Sequence, residues 1–271
     1  MTQERTIGAA HMLGAGLLGV GLLGVGLLWW AERRWPRRIP RERPLDRLPV
    51  NLGLGAMSLT VVALAERPLA GRVAARVEAG RLGLAQMLPA PAWVRDLAGV
   101  VLLDFATYHW HVATHRVPLL WRLHAVHHAD RDMDWTTALR FHAADMAISV
   151  PVRMVEVRLL GVSPRALEIY GAWFFANVAF HHANLKLPFD RQLAWLFTSP
   201  GMHDIHHRAD AAATDANYSS GLSVWDRMFG SFSDARPDVP IGIAGQIGAA
   251  PGLLEALARP FAPDDKASAL P

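Results

Sequence analysis

The 271-residue chain contains no cysteine. That absence removes disulfide frameworks, thiolate metal sites, iron–sulfur clusters and cysteine nucleophiles together, so any metal must be held by nitrogen or oxygen. The sequence also lacks an HExxH helix and a GxSxG turn, the usual signatures of zinc peptidases and serine hydrolases. It offers no flavin, haem or nicotinamide motif. Charge is scarce, with 19% of residues charged against 52% hydrophobic, a balance unusual for a water-soluble domain. The net charge of +3 comes from clustered basic residues, which argues against nucleic acid as a partner.

Long apolar sequence is plentiful. Residues 7–30 run for 24 positions without a formal charge, more than the roughly 20 a helix needs to cross a hydrocarbon core, and are expected to span a membrane. A secretory signal would want a basic start, a shorter apolar region and a small-residue cleavage site, and none fits. Residues 31–47 then carry seven arginines (Arg33, Arg34, Arg37, Arg38, Arg41, Arg43 and Arg47) broken by prolines. The positive-inside rule puts this loop in the cytoplasm. A second span is expected over 48–65, an external connection over 66–91 and a third span over 93–108. Residues 143–160 read as an interfacial helix or half of a shallow hairpin, and 166–180 as its return. The tail from 236 to 271 is expected to be largely irregular, with only 253–258 looking helical.

Histidine is the other excess: 13 residues, 12 of them between His109 and His207. His111 and His115 stand at i and i+4, about 40° apart around a helix, and project from one face. His124, His127 and His128 form an HxxHH unit whose members share a helical face, and His203, His206 and His207 repeat that spacing. Isolated histidines such as His11 and His109 are best read as solvated interfacial residues. Eight imidazoles gathered in a low-dielectric site are another matter, because each unpaired polar nitrogen would cost roughly 1–3 kcal/mol. Metal removes that cost. Eight or nine ligands exceed the needs of one four-coordinate zinc and point to two ions, while imidazole alone does not choose among iron, copper and zinc. Asp104 lies two helical turns before His111 inside an apolar span, where an acid is functional by default. It is expected to accept a hydrogen bond from a ligand imidazole and fix its orientation. Arg140, Asp145, Asn184 and Asp204 invite the same suggestion.

Over residues 95–232 the sequence resembles the fatty acid hydroxylase/sterol desaturase superfamily of membrane non-haem di-iron oxygenases. The resemblance rests on Asp104, Tyr108, His111 and His115, on the run from Trp121 to His128, and on Arg140-Phe141-His142. It continues through His182-Ala183-Asn184, the run from Ser199 to His207, Asn217-Tyr218, and Trp225 to Gly230. Four positions depart from the family pattern: Val112, Ala143, Asp145 and Ser219 stand where arginine, proline, glutamate and glycine are common. They touch supporting positions rather than ligands.

The resemblance implies an all-α integral membrane bundle of about four transmembrane helices under a cytoplasmic histidine-rich helical cap. Residues 1–92 would be transmembrane helices and their connections, 93–232 the catalytic region, and 233–271 a Pro/Ala/Gly-rich tail. It implies two iron ions held by His111, His115, His124, His127, His128, His203, His206 and His207. His182 would be a ninth ligand, with His142 and His181 as further candidates. The implied chemistry uses O₂ to hydroxylate or desaturate a C–H bond of a lipid of fatty acyl, sterol, carotenoid or alkylglycerol type. With no redox cofactor motif in the chain, the electrons would come from an external donor of cytochrome or ferredoxin type. A zinc membrane hydrolase, a haem electron carrier and a metal-binding protein are the competing readings. Adjacent pairs such as His127-His128 do not suit haem, whose axial histidines face each other singly. The short chain and an Ala-Leu-Pro end without a eukaryotic retention signal make a bacterial inner membrane the expected home.

Overall fold

The computed structural model describes residues 23–210, 214–235, 239–245 and 250–262. The expected first span over 7–30 therefore lies mostly outside the described residues; 23–34 are helical. Among the described residues the fold is all-helical, with three isolated β-bridges and no strand.

Helix α1 (Pro44–Val61) opens with proline in its first turn, where the missing N–H costs nothing. It passes through a π turn (Val62–Glu66) directly into α2 (Arg67–Ala79). The external connection expected over 66–91 is thus helical as far as Ala79. The π turn supplies an extra residue just before Pro68, so the proline sits at the start of a new helical register rather than breaking an old one. From Pro44 to Met87 this is the one helix among the described residues long and apolar enough to cross a membrane, and only 22% of its most apolar window is buried. A core helix of a soluble protein would be mostly covered.

Helix α3 (Ala92–Arg116) continues eight residues past the expected end of the third span, so His111 and His115 ride on the same helix as Asp104. After the Val117 hinge comes α4 (Pro118–His128). The region 143–180 is a helical hairpin: α5 (Ala143–Leu160) turns at Gly161, in the left-handed conformation at φ 77°, into α6 (Pro164–His182). A side chain at Gly83 would meet the Gly161 nitrogen at 2.4 Å, so the turn between α2 and α3 and the α5–α6 turn touch backbone to backbone. Ser163 caps α6 and donates to Asp96 of α3 at 2.6 Å.

Small residues let the helices approach closely. Ala70 and Ala74 of α2, Leu103 of α3, Val157 of α5, and Ala166 and Tyr170 of α6 form a buried core. The outer faces carry exposed Leu59, Leu64, Leu97, Val155, Leu159, Ile169 and Phe175, an apolar surface costly in water and suited to lipid. Beyond the helical stem, α7 (Pro200–His206), α8 (Val224–Met228) and their loops complete the histidine-bearing end. In the tail, α9 (Leu253–Ala258) packs Ala256 against Leu54 and Val126.

Candidate metal centre

The ends of α3, α4, α6 and α7 meet here. Their ring nitrogens gather into two groups, each with its ligand atoms within 4.8 Å of one another. The larger cluster holds His111, His115, His124, His128 and His206, and the smaller holds His127, His182, His203 and His207. Neighbours in sequence part company: adjacent residues on a helix point about 100° apart, so His127 and His128 enter different clusters, as do His206 and His207. The two HxxHH units are used in opposite senses. On α4 the i, i+4 pair serves the larger cluster and the middle histidine the smaller; on α7 the assignments are reversed. The clusters share a wall, where the His128 and His207 rings stack at 4.4 Å.

Hydrogen bonds fix which nitrogen faces inward. His111 donates Nδ1–H to the Tyr218 carbonyl at 2.6 Å, His206 to Ala216 at 2.8 Å and His182 to Val178 at 2.8 Å. A neutral imidazole has one N–H, so Nε2 of each of these rings is a bare lone pair. Nevertheless the Nε2 atoms of His111 and His206 stand 3.1 Å apart. His182 Nε2 is 3.1 Å from that of His127 and 3.0 Å from that of His203. The facing lone pairs of His111 and His206 repel at this distance unless a cation lies between them.

A proton is poorly suited to that role. Burial, then the rings of His206 and His124, hold His111 well below the ordinary imidazole range. Burial likewise takes His206 to about 3 and His182 to about 4, against the opposing pull of their carbonyl partners. Both nitrogens of His115 and His128, and Nδ1 of His127, His203 and His207, are buried without a hydrogen-bond partner among the described residues. A metal ion would satisfy one nitrogen of every ring. Neighbouring Nε2 atoms are 3.0–3.2 Å apart. With metal–nitrogen bonds of about 2.1 Å, ligands at right angles stand about 3.0 Å apart and tetrahedral ones about 3.4 Å. These spacings, with donors that are all imidazole nitrogens, fit a metal ion in each cluster.

Other candidates lie elsewhere. His142 is outside both clusters: its Nδ1 accepts from the Ala144 amide at 3.0 Å as the N-cap of α5, and its Nε2 faces the Leu257 carbonyl at 3.3 Å. Helix capping replaces the expected ligand role. His181 packs against His203 at 4.1 Å but pairs with Asn177 at 2.9 Å. Asp104 does not receive an imidazole N–H; its Oδ2 accepts from the Leu222 amide at 2.9 Å and the Trp225 indole at 2.8 Å. Two helical turns put it on the right face, yet about 10 Å down the axis from His111. Asp204 turns outward to Arg38 and to Arg208, the latter at 2.8 Å. Arg140 bonds Asn51 and the Val126 carbonyl, and Asn184 holds the amides of Arg37 and Arg38. Of the four further residues that sequence put forward, Asp145 alone approaches a cluster histidine, 3.5 Å from His124 Nδ1.

Sequence reasoning missed three supports. The carbonyls of Tyr218, Ala216 and Val178 carry no side-chain signature. Phe141 stacks on His127 at 4.4 Å and 13°. Arg47, counted with the basic loop, is buried and grips Asp130 at 2.5 and 2.8 Å and Asp134 at 2.7 Å. Burial alone would raise the Asp130 carboxyl, but the Arg47 guanidinium outweighs it and holds the group below its usual range.

Residues 97–231, which include every histidine of both clusters, match the family model described as fatty acid hydroxylase. The ornithine lipid hydroxylase OlsE of Rhizobium tropici is 32% identical over 177 residues, covering 63% of this chain and 51% of that protein. The alkylglycerol monooxygenase of Homo sapiens is 26% identical over 165 residues, 57% of this chain and 34% of that one. A cholesterol 25-hydroxylase-like protein of Danio rerio is 30% identical over 147 residues, 51% and 55% respectively. The chain thus spans about half the length of the bacterial and zebrafish relatives and about a third of the human one. No solved structure matches.

Proposed function

Because the chain belongs to the fatty acid hydroxylase/sterol desaturase superfamily, we propose that it is a membrane-bound non-haem di-iron oxygenase that hydroxylates an unactivated C–H bond of a lipid. The supporting observation is the pair of bare Nε2 atoms of His111 and His206, 3.1 Å apart in a buried, nitrogen-only cluster beside a second such cluster. His111, His115, His124, His128 and His206 would hold one ion and His127, His182, His203 and His207 the other. Iron bound there would supply the activation of O₂, with two electrons drawn from a separate cytochrome or ferredoxin type of protein.

The chain's own residues provide the setting. The rings are at most 8% exposed, which keeps bulk water from the reacting centre. Carbonyls of Tyr218, Ala216 and Val178 keep Nδ1 protonated, so Nε2 stays available as donor. The apolar outer faces of α1, α2, α3, α5 and α6 suit immersion in a bilayer, from which an alkyl chain would reach the cluster at the helix ends. We place the clusters on the cytoplasmic side because the arginine-rich loop 31–47 is bonded beside them: Asn184, two residues past the ligand candidate His182, holds the Arg37 and Arg38 amides at 3.1 and 2.9 Å. A bacterial inner membrane is the proposed location. The printed names of the three relatives above denote oxygen insertion, and we favour hydroxylation over desaturation for that reason. The substrate class proposed is a lipid of fatty acyl, sterol, carotenoid or alkylglycerol type.

The test is to reconstitute the full chain in nanodiscs with bacterial lipid extract, a reduced ferredoxin and ¹⁸O₂. One ¹⁸O atom per product lipid is expected, with none formed by the His127→Ala or His206→Ala protein. A product without label, or undiminished turnover in either variant, would sink the proposal.

A further inference from the structure

Two ligands of the larger cluster come from helices that do not adjoin in sequence, His111 from α3 and His206 from α7, and both are oriented by one short segment. His206 donates to the Ala216 carbonyl and His111 to the Tyr218 carbonyl. Between those carbonyls sits Asn217, fully buried and in the left-handed conformation at φ 59°. Outside glycine, that conformation is tolerated best by asparagine and aspartate, whose short polar side chains bond locally. Here the Asn217 side chain is tied at every polar atom. Its Nδ2 donates to the Met202 carbonyl at 2.9 Å and to Ser233 at 2.8 Å, and its Oδ1 accepts from the Ser233 amide at 2.8 Å. Met202 is the residue before His203, so the same side chain also reaches α7.

Asp226 secures the other edge. Fully buried, it accepts from the Tyr218 amide at 2.8 Å on Oδ1 and from the Ser219 amide at 2.9 Å on Oδ2. The Ser231 hydroxyl donates to it at 2.7 Å. Asp104 then clamps the following stretch through Leu222 and Trp225. The smaller cluster has no counterpart: His182 leans on the carbonyl of its own helix at Val178, and Nδ1 of His127, His203 and His207 bonds to no described residue.

We propose that Asn217 and Asp226 are positioning residues that act chiefly on the larger cluster. They hold Ala216–Asn217–Tyr218 so that its two carbonyls fix the tautomer and aim of His111 and His206 at a common centre. The inference rests on reading the clusters as metal sites and goes beyond it by assigning selective work to residues that touch no metal.

The experiment uses the full chain in detergent, stripped of metal and titrated with Co²⁺, whose visible absorption reports coordination at each site. The wild type is expected to take up two ions. The Asn217→Ala and Asp226→Asn proteins are expected to bind one ion as the wild type does and the other about 10- to 100-fold more weakly, with a changed absorption for that ion. Asn217→Gly keeps the left-handed turn without steric cost but loses the ties to Met202 and Ser233, so a smaller loss at the same site is expected. If the alanine protein does not fold, the glycine and asparagine proteins carry the test. In a His182→Ala background, which retains the larger cluster, Asn217→Gly should weaken the single remaining ion. Equal weakening of both ions, or none, would overturn the positioning role. A wild type that takes up no cobalt would instead overturn the metal reading on which the inference stands.

Discussion

The two histidine clusters use one ligand type and the same helical spacings, but they are supported differently. The larger is steadied from outside, by carbonyls of a distant loop and by Asp145 beside His124. The smaller is steadied by its own helix through Val178, by Phe141 stacked on His127, and by the buried Arg47–Asp130 grip next to α4. Both clusters draw their rings from three helices, but in the larger two rings are aimed by carbonyls of a loop outside those helices. Support on the larger side therefore comes from a loop outside its helices, whereas on the smaller side Val178 supplies it from the helix of its own ligand His182.

That contrast can be broken at several strengths. Removing a ring from either side, as His206→Ala or His127→Ala, should take turnover to background and lose the ion of that cluster first, checked by metal analysis of each variant. Next in size, Arg47→Met should leave Asp130 buried and unpaired at a cost of about 3–5 kcal/mol, read as a lowered unfolding midpoint in detergent. It should affect both clusters because it loosens the framework. Asp145→Asn should act on the larger cluster alone, weakening its ion by about tenfold with little change in unfolding; equal effects on both ions would erase the distinction.

The smallest effect is a slope. Glu32 accepts amides of Trp135 and of Asn184, two residues past His182, at 2.8 and 2.9 Å. Burial, then the charge of Asp134, raises it from 4.5 to about 7. Between those values the folded protein keeps a proton that the unfolded chain gives up, so this contribution is full below pH 4.5 and fades as the pH rises through 7. Glu32→Gln should flatten that part of the unfolding midpoint plotted against pH; an unchanged slope would show that Glu32 does not carry it.

The sequence made the helical units legible because i, i+3 and i+4 histidines share a face wherever a helix forms. It could not sort them into clusters, since the division between His127 and His128 depends on how α4 is rotated against α6 and α7. Periodicity likewise put Asp104 on the face of His111 without showing that two turns of rise carry it to the Leu222–Trp225 loop. Arg47 looked like one of a solvated run because its partner Asp130 lies 83 residues away. The carbonyls of Ala216 and Tyr218 left no residue type to read; the nearest sign was an asparagine, which among the described residues of this loop takes a positive φ. The apolar stem was legible as apolar length, but the continuous α1–α2 helix depended on a π turn that no pattern announces.

Metal analysis of the full chain purified in detergent, joined to its optical spectrum, tests the central claim most directly. Two iron ions per chain without a Soret band are expected, with one ion left after His182→Ala and the larger cluster retaining it. Haem absorption, or a single zinc ion accompanied by full activity, would contradict the account.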